Sequence, residues 1–152
     1  MMKDNKRFTH KTVITWDKKK NVFLCSLGNK TIEIAESLEF KKHDDMWTPN
    51  ELFVASVEGF VKDAFIDLAK KNALEFLSYA SNAQGVIEKV EDKLRFAEIK
   101  IRPRIVVASS GQIEKAKELI KLAGENCAIA NLVTCKISVY SEIESSVLEK
   151  EF

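Results

Sequence analysis

Residues 48–71 constrain the fold more than any other stretch of this chain. Thr48-Pro49-Asn50-Glu51 reads as a helix start, with a hydroxyl cap, a proline at the first helical position and a glutamate where a capping box places its carboxylate. Behind it, apolar residues stand at 52, 53, 54, 55, 57, 60, 61, 64, 65, 66, 68 and 69, more than one helical stripe can hold. Such a helix is expected to be buried on several sides, so the rest of the fold has to wrap around it. Its polar exceptions, Glu51, Glu58 and Lys62, fall close together, and a polar stripe on an apolar helix faces water, a partner chain or a site.

The segments on either side supply strands. Thr12–Trp16, Val22–Leu27 and Thr31–Ala35 have β character, with Lys18-Lys19-Lys20 and Gly28-Asn29-Lys30 as turns, and predict an antiparallel meander. After a polar loop over 36–47 and the helix, which is expected to end near Lys71-Asn72, strands are predicted at Leu77–Val90 and Leu94–Val107 around a turn at Glu91-Asp92-Lys93. A second helix is predicted from Gln112 to Ala123 with Gly124 as its stop, then a short helical turn over Glu125–Leu132 and a last strand over Thr134–Ile143. The order is β-β-β-α-β-β-α-β, an α+β class with an antiparallel sheet on the long central helix.

At 152 residues the chain is expected to form one domain, 1–152, with fraying at 1–10 and 144–152. Hydrophobic content of 45% beside 31% charged residues is that of a soluble globular protein rather than a disordered one. The formal net charge of +1 supplies no general attraction to nucleic acid or to an anionic membrane, and no apolar run is long enough for a membrane span. The first seven residues are polar and lead into no apolar signal core. Three cysteines, at 25, 127 and 135, show neither CxxC nor metal spacing, and His10 and His43 stand alone. Reduced thiols, a cytoplasmic location and no metal or other cofactor are expected.

Trp47-Thr48-Pro49-Asn50-Glu51-Leu52-Phe53-Val54-Ala55-Ser56-Val57-Glu58-Gly59-Phe60-Val61 resembles the opening of the central helix of the OsmC/Ohr family of hydroperoxide reductases. Gly85–Phe96 with Ile101–Val107 is similar to that family's second hairpin, and Glu125-Asn126-Cys127-Ala128-Ile129-Ala130-Asn131 to its Glu-Asn-Cys-Pro-Val-Ser segment. The likeness runs from about Thr48 to Val139 and implies the OsmC-like fold as an intertwined homodimer. It also implies a chemistry in which a cysteine on the central helix attacks the peroxide, becomes a sulfenic acid and condenses with a second cysteine to a disulfide, which a dithiol clears. An arginine and a glutamate would stabilise the thiolate and orient the peroxide.

The chain departs from that pattern where the chemistry is done. The peroxidatic position, eleven residues beyond the proline, is Phe60; the glutamate position is Asn50, with Glu51 beside it; and no arginine lies between Arg7 and Arg95, leaving only Lys41, Lys42 or His43 as a substitute cation. Of the cysteine pair, Cys127 alone is present, and no motif sets Cys25 or Cys135 beside it. Classical two-cysteine peroxidase activity is therefore expected to be absent, with binding of a small apolar ligand at the dimer interface near Asn50, Glu51 and Phe60 as the remaining role. The alternative is a one-cysteine thiol peroxidase in oxidative stress defence, in which Cys127 attacks the hydroperoxide and an external thiol resolves it.

Each candidate also has a plain structural reading. Cys127 can be a small buried hydrophobe, or a thiol activated at the start of a helical turn. Glu51 is explained by a capping box, and Phe60 either walls a ligand pocket or fills it. Glu58 and Lys62 are spaced for an i,i+4 ion pair, and Trp47 for pinning the loop at the helix start.

Overall fold

Alternation along residues 93–107 decides where the core lies. Ile99, Ile101, Pro103, Ile105 and Val107 are fully buried, while Arg102 and Arg104 between them are exposed. The computed structural model describes residues 7–17, 20–26, 31–35 and 46–146. Its elements are β1 (Thr12–Asp17), β2 (Lys20–Ser26), β3 (Ile32–Ile34), α1 (Pro49–Lys71), β4 (Phe76–Val90), β5 (Lys93–Val107), α2 (Ile113–Asn126), β6 (Lys136–Val139) and β7 (Glu142–Ser145), with a 3-10 turn at Ser110–Gln112. The α+β class holds, and the expected order holds as far as the last strand. The chain divides into two compact units, residues 1–52 and 53–152.

In the first unit β1, β2 and β3 form the predicted antiparallel meander, in register at Thr12↔Ser26 and Val22↔Ile34. The two turns expected at 18–20 and 28–30 lie largely outside the described residues. Ile34 and Ala35 are buried. Trp47 does pin the segment before the helix, but through its backbone: it bridges to Ile34 and its carbonyl accepts from Ala35 N–H at 2.8 Å, while its side chain is 47% exposed.

The second unit is built on β5. β4 pairs with it antiparallel around a two-residue turn, Glu91-Asp92, where φ is +50° and +63°. That left-handed pair matches the right-handed twist of the flanking strands. The last strand, expected as one piece over Thr134–Ile143, is two. β6 and β7 both run parallel to β5, so the sheet is mixed where an antiparallel one was expected. The cause is α2: a chain that crosses back through a helix returns parallel to the strand it left. Ser146 N–H still donates to Val107 O at 3.0 Å, so the fold extends past residue 144, where fraying was expected.

Both helices pack on the buried face of this sheet. α1 contributes the stripe Val57, Val61, Phe65 and Ala69, and α2 contributes Ala116, Leu119, Ile120 and Ala123, in one cluster with Ile99, Ile101, Ile105 and Val107. α1 ends in a Schellman motif: Leu74 N–H donates to Ala69 O at 2.9 Å and Ala73 N–H to Lys70 O at 3.4 Å, with Ala73 at φ +50°. Gly124 is not a stop signal. α2 runs on to Asn126, and Gly124 lies buried in its last turn, where a Cβ would sit 2.6 Å from Val139 Cγ2. The glycine brings helix and strand close together.

Candidate functional site

Glu51 is held by a reciprocal pair of hydrogen bonds at the start of α1. Thr48 N–H donates to Glu51 Oε2 at 2.8 Å, and Glu51 N–H donates to Thr48 Oγ1 at 3.1 Å. This is the capping box the spacing implied: the Glu51 carboxylate and the Thr48 hydroxyl each accept from one backbone N–H at the helix start. Asn50 beside it is exposed. Of the substitute cations, Lys41, Lys42 and His43 lie outside the described residues.

Phe60 is 41% exposed and stands outside the buried cluster. Among the described residues, one stripe of α1 is fully buried and Phe53, Val54, Ala64 and Leu68 beside it are partly buried against the core. Beside Phe60 the surface is open: a Cβ added to Gly59 would meet nothing within 4 Å. The pocket that Phe60 was expected to wall or fill is therefore not closed around the ring by the second unit.

Cys127 is 1% exposed and belongs to the apolar cluster with Ala123, Ile120 and the buried side of α1. It closes α2 rather than opening a helix, since its N–H donates to Ala123 O at 3.1 Å; its carbonyl then accepts from Ala130 N–H at 3.0 Å in the turn that follows. Its side chain lies among apolar neighbours, out of reach of solvent. Cys127 and half-buried Cys135 are both free thiols, and the side chain of Cys25 lies outside the described groups. Asn50 and Glu51 belong to the first unit, Phe60 and Cys127 to the second. Within the second unit Phe60 and Cys127 do not share an environment.

The spacing of Glu58 and Lys62 suggested a partnership that the structure does not make. Lys62 Nζ pairs with Asp63 at 3.0 Å, and Glu58 Oε1 accepts a short hydrogen bond from the Ser81 hydroxyl on β4. Two residues along the same strand face, Tyr79 packs its ring on Phe65, with centroids 5.7 Å apart, and its hydroxyl is buried without a hydrogen-bond partner. Burial pushes the phenol up to about 12; the Ser81 hydroxyl beside it pulls down and the Glu58 carboxylate pushes further up. Ser81 thus lies beside the phenol while giving its own proton to Glu58.

Sequence reasoning found Glu58 but missed Ser81 and Tyr79. The signal was the period of two along β4: Tyr79 and Ser81 lie opposite Ile105 and Pro103, both core residues, so a hydroxyl at 81 is a polar group on a buried face. Among the described residues no group of three or more His, Cys, Asp or Glu is placed to hold a metal ion. No helix of the described residues is long and apolar enough to cross a membrane.

Comparison with known proteins places these features in a family. The family model described as OsmC-like protein matches residues 42–142. An OsmC-like protein of unknown function from Vibrio cholerae superposes with a TM-score of 0.79 at 23% identity, covering 90% of this chain and 100% of that one. An organic hydroperoxide resistance protein from Elizabethkingia anophelis, with thiocyanate bound, gives 0.72 at 20% identity, covering 93% and 99%. The organic hydroperoxide resistance protein OhrB of Bacillus subtilis gives 0.66 at 19%, covering 90% and 98%. No curated protein sequence matches the chain.

Proposed function

The chain belongs to the OsmC-like protein family, and from that premise we propose that it keeps the family's fold without the two-cysteine reduction of organic hydroperoxides. In this reading it is a cytoplasmic homodimer that binds a small apolar ligand beside α1. The observation that carries the proposal is Phe60: a benzene ring, 41% exposed, stands on α1 where the resemblance puts the attacking thiolate. A ring cannot open an O–O bond. Burial of Cys127 supports the same reading, since a reactive thiol needs access.

The dimer is supported by α1 itself. Of its twelve apolar positions, its own chain fully buries Val57, Val61, Phe65 and Ala69 and partly covers others such as Phe53, Val54, Ala64 and Leu68, while Phe60 stays 41% exposed. A second copy related by a two-fold axis would cover the same patch on both partners. The test is consumption of cumene hydroperoxide or tert-butyl hydroperoxide with a dithiol donor. Negligible turnover is expected. Saturable turnover that disappears in Cys127→Ser would overturn the proposal and establish the one-cysteine peroxidase instead.

A further inference from the structure

We draw no further inference here: the strongest candidate, the open edge of β4, where residues 76–87 carry no charge and pair with β5 alone among the described residues, carries nothing, because nothing in the structure shows what covers it.

Discussion

Thr48 and Glu51 exchange hydrogen bonds, the backbone N–H of each meeting a side-chain oxygen of the other at 2.8 and 3.1 Å. Glu51 is thereby tied to helix geometry by the same atom a catalytic role would need. Thr48→Ala and Glu51→Ala should each cost about 1 kcal/mol, and the double variant less than the sum, because either substitution breaks the shared box. Glu51→Gln should keep most of the stability, since an amide oxygen caps as a carboxylate does. Urea midpoints measure all four. A loss in Glu51→Gln as large as in Glu51→Ala would refute the capping account.

Ala73 ends α1 in the left-handed region at φ +50°, where a Cβ meets the neighbouring carbonyl. Glycine removes that clash and leaves both Schellman hydrogen bonds in place. Ala73→Gly is therefore expected to stabilise the protein by about 1 kcal/mol, read as a rise in the thermal midpoint.

Gly124 offers the opposite case. Alanine would raise helix propensity by about 1 kcal/mol in an exposed helix. Here its Cβ would lie 2.6 Å from Val139 Cγ2, on a β-branched side chain with little room to turn. Gly124→Ala should destabilise by about 1–3 kcal/mol, and Val139→Ala should be less harmful in that background than in the wild type. A double-mutant cycle without that coupling would be a contrary result.

Tyr79 makes stability depend on alkaline pH. The unfolded phenol titrates near 10.0 and the folded one at about 12, so the folded state holds its proton more tightly. The contribution is complete below the unfolded value and is lost as pH rises through the folded one. Between about pH 10 and pH 12 the wild type should lose more stability than Tyr79→Phe. At neutral pH the variant should be at least as stable, because it removes an unpaired buried hydroxyl. Chemical denaturation of both proteins across that range decides it.

Phe60 and Cys127 should respond in opposite ways to the solvent. Iodoacetamide should label Cys127 slowly in the native protein and quickly in urea, since 1% exposure leaves unfolding as the route of access. Phe60→Lys should leave the monomer fold intact and weaken self-association, measured by sedimentation, because its ring lies outside the buried cluster. Rapid native labelling, or a Phe60→Lys protein that unfolds, would contradict this placement.

Much of the fold was legible in the chain because its signals are local. A capping residue, a proline and a glutamate within four positions mark the start of α1, and apolar alternation marks β5. The divided C-terminal strand was less legible, since parallel pairing depends on the path of α2 and not on any residue of β6 or β7. Gly124 misled for a related reason: glycine can end a helix or allow close packing, and only Val139 opposite it distinguishes the two.

The chain alone determined that thiol chemistry is missing from the central helix, because no arrangement of atoms turns Phe60 into a nucleophile. It also determined the class and order of the elements, which follow from residue periodicity. Tertiary structure decided that Cys127 is enclosed, that Glu58 reaches Ser81 rather than Lys62, and that the Tyr79 hydroxyl is stranded beside them. Those outcomes depend on which distant segments meet across the helix–sheet interface, 23 residues apart for Glu58 and Ser81. Burial and hydrogen bonding are properties of that meeting and of no single residue in it.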